Sequence, residues 1–220
     1  MDNGCEIICE QGVEPEFKPK SNAAGNVVRA ERQSWHHDQP AEPIERVSPS
    51  SLGPRDFATL GLSASELFSE NAGEAAKRGV EIHGQYEAIE WADDQVLAAL
   101  PPAFHVAFAK PSPEATVWRE KSYEIYREGT GKGVWETGQF DRVVFTGEGA
   151  EREVVIYDFK TNALRAGESV EEFEGRMCRT YAPQMCAYRT ALETLTGLAA
   201  NRIRSVLLLQ STGTTVECGA

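Results

Sequence analysis

The sequence predicts an α/β fold with a central mixed β-sheet flanked by helices. Three observations predict it: helical patterning in the first half, three consecutive β-rich runs in the middle, and a helical segment followed by an apolar strand near the end. The predicted order is therefore helix, three strands, helix and strand. About 171 residues, from Ser50 to the end, form one domain of ordinary size in this interpretation.

The first helical region begins at a capping box, in which Ser63 is followed three residues later by Glu66. Its helical patterning continues to Trp91, and we expect an interruption near Gly73 or Gly79 because glycine weakens a helix. Residues 94 to 109 then give shorter helical pieces that break at two consecutive prolines.

The strands are predicted from β-branched and aromatic residues in short runs bounded by turn residues. They are Thr116–Tyr126, Val134–Phe145, Val154–Phe159, Arg204–Gln210 and Thr214–Cys218. The loop after Phe145 has the composition of a hairpin, so the second and third strands should pair as antiparallel neighbours.

Between the third and fourth strands, Ser169 is expected to cap a short helix and Thr180 a longer one. Pro183 is tolerated in the first turn of that longer helix, and Gly197 is expected to end it.

Residues 1–49 are expected to be a linker or a disordered arm, because they lack periodicity and are rich in proline. Residues 50–220 are expected to be the folded domain. The chain has no apolar run long enough to span a membrane and no signal-peptide pattern at its start, which predicts a cytoplasmic protein without membrane partners. Five cysteines, an odd number, argue against a disulfide framework.

The residues with the clearest chemistry are Asp158 and Lys160. Successive side chains of a strand point to opposite faces, so these two emerge together while Phe159 points into the core. Asp141 lies in the preceding predicted strand, Val134–Phe145, which should pair with this one, so both aspartates can lie near one divalent cation. Two aspartates and a lysine in this arrangement are what metal-dependent phosphodiester hydrolysis requires. The pattern is short, and a purely structural Asp-x-Lys on an exposed face stays open at this point.

Two helices add polar residues to the pattern. His83 lies in the first helical region, one turn before Glu87 on the same face. Tyr181, Gln184 and Tyr188 share one face of the later helix. A buried glutamine on such a face needs hydrogen-bond partners, although the tyrosines alone are also explained by core packing.

Four motifs follow one another in the order that is typical of one family. They are Gly79 to His83, Gly138-Gln139-Phe140-Asp141-Arg142, Asp158-Phe159-Lys160-Thr161, and Gln184 to Tyr188. With these motifs, the chain from about Ser50 to its end resembles the RecB-like nuclease domains of the PD-(D/E)XK superfamily, which occur in bacterial helicase-nucleases of the UvrD, RecB and AddA kind. The resemblance implies a restriction-endonuclease-like core.

The resemblance also implies a role for each motif. It implies that His83, Asp141 and Asp158 bind Mg²⁺ or Mn²⁺, with the Phe159 carbonyl as a further ligand, and that Lys160 is the catalytic lysine. Gln184 and Tyr188 match the auxiliary motif that positions the active site and the DNA backbone. Glu120 matches an acidic position that is frequent before the first core strand, and a structural role for it stays open.

The function implied is a metal-dependent DNA nuclease, expected to be an exonuclease domain that works with a helicase in double-strand-break repair and recombination. The net charge of −12 is unusual for a DNA-binding protein, because phosphate contacts normally need Lys and Arg. Residues 175 to 192 include three arginines and no acidic residue, which softens this objection. The alternative is a catalytically inactive DNA-binding or interaction module of the same fold.

Overall fold

The computed structural model describes residues 45–51, 70–128 and 133–218, without the side chains of residues 70–78 and Ala150. The strands are β1 (Glu45–Val47), β2 (Thr116–Glu128), β3 (Gly133–Thr146), β4 (Glu153–Lys160), β5 (Ile203–Leu209) and β6 (Thr214–Glu217). The helices are α1 (Glu70–Ala88), α2 (Asp94–Ala99), α3 (His105–Phe108) and α4 (Val170–Thr196). The predicted α/β fold with a mixed sheet is confirmed.

The predicted strands all appear, with ends within two residues of the expected positions. Strand β3 pairs with three other strands, β1, β2 and β4. Strand β2 pairs with it in antiparallel fashion along almost its whole length, and β4 pairs antiparallel with its last residues, Arg142 to Thr146. The sheet continues with β5 parallel to β4 and β6 antiparallel to β5.

One edge of β3 is shared between two strands. Strand β1 pairs in parallel with Val134 to Glu136, and β4 begins to pair only at Arg142. Residues 137–141 of β3 therefore have neither β1 nor β4 beside them, and the sheet opens into a cleft at this place. Asp141 is the last residue of this open stretch.

The two faces of the sheet bury separate cores, as alternation of side chains requires. On one face, Ile156 belongs to a cluster with Phe173, Met177 and Met185 of α4. On the other face, Phe159 belongs to a cluster that includes residues of α1 and α3. Strand β4 thus turns Asp158 and Lys160 toward the face that carries α4.

Helix α1 is continuous through both glycines at which we expected an interruption, so that expectation is wrong. Packing explains the presence of Gly79. A β-carbon added there would lie 3.2 Å from Thr161 Oγ1. Glycine therefore lets α1 approach the end of β4 closely, and this approach brings His83 to the sheet.

Helix α4 is a single helix of 27 residues, so the predicted division into two helices, with Thr180 as a cap, is wrong. Pro183 lies inside it and is exposed, where its missing N–H costs least. Residues on both sides of the proline are buried in the same core, and this packing keeps the helix in one piece. The Ser169 capping box and the left-handed Gly197 at the end are confirmed.

The predicted arm is only partly described. Residues 1–44 and the predicted capping box at Ser63 lie outside the described residues. Strand β1, which lies within the predicted arm, pairs with β3, so the sheet includes residues before the expected boundary at residue 50. The signal for β1 is weak because three residues are too few for a hydrophobic pattern.

Arg142 fastens the helical layer to the sheet. Its side chain is fully buried, and its guanidinium donates hydrogen bonds to the carbonyls of Ala107, Ile89 and Glu90 at 2.6, 2.8 and 2.6 Å. It also lies against the Phe108 ring, 4.6 Å from its centre. The segment that follows α1 is therefore held to β3 next to Asp141.

Cys178 on α4 and Cys218 after β6 form a disulfide with a Cα–Cα distance of 5.4 Å. We expected no disulfide framework, and the structure has this one bond among the described residues, because an odd cysteine count does not exclude a pair. Cys186 is the free, exposed cysteine among the described residues. In the described part of the chain, no helix has both the length and the apolar character needed to cross a membrane.

Candidate metal and active site

The cleft beside the open stretch of β3 has a volume of about 560 Å³ and collects most of the polar residues singled out in the sequence. The sequence-predicted residues that line it are His83, Asp141, Asp158, Phe159, Lys160, Gln184 and Tyr188. Seven residues from α1, β3, β4 and α4 thus meet at one place. The cleft is also lined by Ser48, Ser50, Ser122, Tyr123, Glu124, Thr137, Gly138 and Gln139.

Asp158 and Lys160 emerge together from β4, as the alternation predicts. Lys160 Nζ lies 2.5 Å from Asp158 Oδ2, and the aspartate side chain is only 2% exposed. Burial alone would lower the pKa of Lys160, but the charge of Asp158 and their hydrogen bond raise it above its ordinary value. The lysine is therefore a cation at neutral pH.

Gln184 joins α4 to this pair. Its amide donates to Asp158 Oδ1 at 3.4 Å and to the Tyr188 hydroxyl at 3.1 Å, and its carbonyl oxygen accepts from Lys160 Nζ at 3.4 Å. Gln184 and Tyr188 are both buried. The expectation that a buried glutamine here has polar partners is confirmed, and those partners are the groups of the site itself.

Tyr181, one turn earlier on α4, contacts the same lysine. Its ring centre lies 4.1 Å from Lys160 Nζ, and its hydroxyl donates to Asn162 at 3.0 Å. The lysine is therefore held from three sides, by a carboxylate, an amide and an aromatic ring. The sequence predicted that Tyr181 shares a helix face with Gln184, but not its contact with Lys160.

A second group of side chains lies beside the first. One ligand atom from each of His83, Glu120 and Asp141 lies within 4.8 Å of the other two. His83 Nδ1 is 3.9 Å from Asp141 Oδ2, and His83 Nε2 lies 3.1 Å from the Phe159 carbonyl oxygen. Because a carbonyl only accepts, that contact is a hydrogen bond when Nε2 carries the proton, and Nδ1 then has a free lone pair.

Glu120 enters this group through an unusual backbone. Its φ is 44°, the left-handed region that residues other than glycine rarely adopt. Arg119 pairs with Arg142 and Lys121 with Phe140, so the register assigns Glu120 and Asp141 to corresponding positions, although the two do not themselves pair. Gln139 Nε2 holds Glu120 by donating to its carbonyl oxygen and to Oε2, at 3.2 and 2.9 Å. Glu120 Oε1 is buried and accepts no hydrogen bond from the described residues.

The surroundings of the site disfavour the charged forms of its ionisable side chains. Burial, followed by the charge of Asp158, raises the pKa of Asp141 well above 3.8, although Phe159 N–H donates to its Oδ2 at 2.8 Å. Burial and the charge of Glu87 raise the pKa of Glu120. Burial lowers the pKa of His83, which keeps the imidazole neutral and able to bind a metal. Closely spaced acids with raised pKa values are typical of a cation site.

The donor set fits a divalent cation. Two carboxylates and a neutral imidazole suit Mn²⁺ or Mg²⁺, and the unpartnered Glu120 Oε1 is a lone pair that such an ion would use. Asp158 does not belong to the group of three, because its oxygens contact Lys160 and Gln184. Its charge still acts on all three members, since it contributes to the pKa shifts of His83, Glu120 and Asp141.

From the resemblance, Glu120 matched only a frequent acidic position, whereas in the structure it belongs to the candidate metal-binding group. The sequence did contain a signal. If the predicted β2 and β3 are paired so that Arg119 opposes Arg142, Glu120 falls at the position that corresponds to Asp141. Only the three-dimensional register makes that alignment visible.

Comparison with known proteins decides the family. Residues 44–217 match the family model described as the PD-(D/E)XK nuclease superfamily, which is most of the chain. The chain belongs to the PD-(D/E)XK nuclease superfamily. Asp158-Phe159-Lys160 supplies the (D/E)XK part of the superfamily's name.

The other comparisons are more distant. No curated protein matches the chain. Among solved structures, the crystal structure of SSO0001 is similar, with 12% sequence identity and a TM-score of 0.37, covering 82% of this chain and 68% of the other. The PD-(D/E)XK assignment therefore comes from the family match.

Proposed function

We propose that this PD-(D/E)XK domain is a metal-dependent deoxyribonuclease that hydrolyses phosphodiester bonds. One observation supports it most strongly. His83 and Asp141, which form a candidate metal-binding group with Glu120, line the same cleft as the Asp158–Lys160 pair. A cation site beside a fixed ammonium suits chemistry at a phosphate.

In the proposed site, His83, Glu120 and Asp141 bind Mg²⁺ or Mn²⁺, and Asp158 and the Phe159 carbonyl remain further candidate ligands. A bound divalent ion supplies Lewis-acid polarisation of the phosphate and favours deprotonation of water. The strained backbone of Glu120 supports a ligand role, because such conformations persist mainly where the surroundings hold them for function.

Lys160 is proposed to stabilise negative charge that develops at the phosphate or to orient the attacking water. Asp158, Gln184 and Tyr181 hold its ammonium in place, so no side-chain freedom is lost at the moment of reaction. Gln184 and Tyr188 act by positioning this group. Their role is proposed from their hydrogen bonds to each other and to Asp158.

The finer assignment rests on the four ordered motifs alone. They resemble RecB-like domains, and on that basis we propose an exonuclease that acts with a helicase module or subunit in DNA repair and recombination. DNA and a helicase are the proposed partners. The proposed compartment is the cytoplasm, although a disulfide such as Cys178–Cys218 is less usual there.

One cleavage experiment tests the proposal. The protein is incubated with end-labelled linear DNA, circular DNA and RNA, each with Mg²⁺, Mn²⁺ or EDTA. We expect metal-dependent cleavage of DNA, and cleavage of linear but not circular DNA if the enzyme is an exonuclease. The Lys160→Ala variant is the control for a contaminating nuclease. A wild-type protein that binds Mn²⁺ and DNA but cleaves nothing would identify the inactive module instead.

A further inference from the structure

One wall of the cleft, across the open stretch of β3 from the end of β4, is made by a segment to which the proposed chemistry gives no role. Strand β1 runs parallel to β3 and stops at the pair Val47 and Glu136. The chain continues through Ser48 into a 3₁₀ turn, Pro49–Ser51. Because the direction of β1 is that of β3, this turn follows the open stretch of β3 that leads to Asp141.

The turn is held in a definite place. Pro49 is buried, and the turn packs against both α4 and β3. Ser51 Oγ donates to the Ser48 carbonyl oxygen at 2.6 Å, which closes the turn internally. This packing fixes the turn in place beside the cleft. It also sets the orientation of Ser48 and Ser50.

Ser48 and Ser50 both line the cleft. Their hydroxyl oxygens lie 2.8 Å apart and share one hydrogen bond. Two hydroxyls that share one bond retain one O–H for another acceptor. Among the described residues, no other side-chain hydrogen bond engages either hydroxyl. Because both serines line the cleft, this donor is available to a ligand that enters it.

The charges of the cleft favour neutral donors at this wall. Asp141, Asp158 and Glu124 line it, and its one lining lysine, Lys160, is already paired with Asp158. A lysine or arginine on the opposite wall would pair with these carboxylates and compete with the cation. Hydroxyls donate to phosphate oxygens without that competition, and serine is a frequent phosphate contact in nucleic-acid complexes.

We propose that the Ser48 and Ser50 hydroxyls bind a backbone phosphate of the nucleic-acid strand, next to the phosphate that is cleaved. The subsite holds the strand in register along the open stretch of β3, so that one phosphodiester reaches the metal group. Ser122 and Gln139, which are paired across β2 and β3, continue the neutral polar lining on the side of β2. This inference rests on the proposed nuclease function and deepens it.

The test measures DNA binding in a variant that is not expected to cleave DNA, so that the measurement does not depend on turnover. In a Lys160→Ala background with Mn²⁺, fluorescence anisotropy follows a 5′-labelled single-stranded DNA oligonucleotide. Adding Ser48→Ala and Ser50→Ala should weaken binding by roughly tenfold, because the one hydrogen bond that the pair donates to a charged acceptor is lost. Mn²⁺ affinity by calorimetry and the melting temperature should stay unchanged.

The matched control is Ser51→Ala, from the same turn, whose residue does not line the cleft. It should leave DNA affinity unchanged. Equal loss in Ser51→Ala would show that the fold of the turn matters and not the two hydroxyls, which overturns the inference. Unchanged affinity in the double serine variant would also overturn it.

The same experiment distinguishes failure of the serine subsite from failure of the proposed nuclease function. If the wild-type protein cleaves DNA with metal but the serine variants bind as tightly as their parent, the subsite alone is wrong. If the parent binds no DNA at all, the subsite is likewise wrong. The nuclease function is then decided separately by the cleavage of DNA by the wild-type protein.

Discussion

Glu120 on β2 and Asp141 on β3 occupy corresponding positions of the ladder, between the pairs Arg119–Arg142 and Lys121–Phe140, and one carboxylate oxygen of each lies within 4.8 Å of the other. Like charges in this position destabilise a sheet, and a left-handed φ at a glutamate adds a further cost. Both the neighbouring carboxylates and the left-handed backbone of Glu120 are nevertheless present in the structure. A cation between them would turn the repulsion into binding, and the first predictions follow from this relationship.

A divalent cation should stabilise the protein. Adding Mn²⁺ to about 100 times its dissociation constant should raise the free energy of unfolding by about 2.7 kcal/mol. The Glu120→Gln variant should be more stable than wild type without metal, because one like charge is gone, and should respond less to Mn²⁺. Differential scanning calorimetry measures both effects.

Glu124→Gln is the matched control for that experiment, because Glu124 is a nearby glutamate that lines the cleft but lies outside the group of three. It should keep the full response to Mn²⁺. An undiminished response in Glu120→Gln would remove Glu120 from the ligand set.

The stability of the metal-free protein should depend on pH through Asp141. Burial and the charge of Asp158 raise its pKa well above 3.8 in the folded state, so the folded protein keeps a proton that the unfolded chain has lost. Asp141 therefore makes stability fall as pH rises from about 4 through the raised pKa, and the fall then stops. Glu120, whose pKa burial also raises, acts in the same direction.

Melting temperatures in EDTA across this pH range measure the effect, and Asp141→Asn isolates it from other groups. The variant should show a smaller fall than wild type. Saturating Mn²⁺ should abolish the fall in wild type, because the metal favours the deprotonated acids. Parallel curves for wild type and variant would contradict the role of Asp141.

Removing the lysine should remove cleavage. Lys160→Ala is expected to lower the cleavage rate by roughly 100- to 1000-fold, by analogy with the loss of one electrostatic stabiliser at a reacting centre. Lys121→Ala is the matched control, since Lys121 is exposed on β2 and does not line this cleft. Single-turnover rates on labelled DNA distinguish the two.

The structure adds a condition to this test. Asp158 is only 2% exposed, so Lys160→Ala leaves a buried carboxylate without its ion-pair partner and should also lower stability. Rates should therefore be measured well below the melting temperature of the variant. A folded Lys160→Ala protein with wild-type rates would refute the catalytic role of the lysine.

Arg142→Met should destabilise the fold strongly. The change removes a fully buried guanidinium and leaves three carbonyls, those of Ala107, Ile89 and Glu90, without their donor. Loss of these charged hydrogen bonds should cost about 3 kcal/mol or more in urea unfolding. Arg119→Met should cost much less, because its bond to the Glu87 carbonyl is exposed. Similar losses in both variants would contradict this anchoring role.

The disulfide should contribute measurably to stability. Cys178 and Cys218 are separated by 40 residues, and closing a loop of that size is expected to stabilise the folded state by about 4 kcal/mol. Cys178→Ser should lower the melting temperature, and a reducing agent should lower that of wild type. Cys186→Ser, at the free exposed cysteine, should change neither. Insensitivity of wild type to reduction would mean that the bond does not stabilise the protein in solution.

The pattern of the chain was sufficient to place the motif residues. Alternation along β4 put Asp158 and Lys160 on one face and Phe159 on the other, and the short loop after β3 made β3 and β4 neighbours. Helical spacing put Tyr181, Gln184 and Tyr188 on one face of α4. These are local periodicities, which follow from backbone geometry and need no knowledge of distant contacts.

Other features depended on contacts between residues far apart in the chain. Helix α4 is continuous through Pro183 because packing on both sides outweighs a local preference. Strand β1 is defined by its pairing with β3, and three residues carry no pattern of their own. From local rules we expected a new helix to begin at Thr180 and no strand before residue 50.

By itself the sequence determined the α/β class, the strands in chain order and the motif residues that we propose for the chemistry. Only the tertiary structure decided that Glu120 lies close to Asp141, that Cys178 bonds Cys218, and that the turn after β1 lines the cleft. The physical reason is that the spacing of residues along the chain indicates only which face of a helix or strand each side chain occupies. Register, strain and long-range pairing arise only when separate elements pack together.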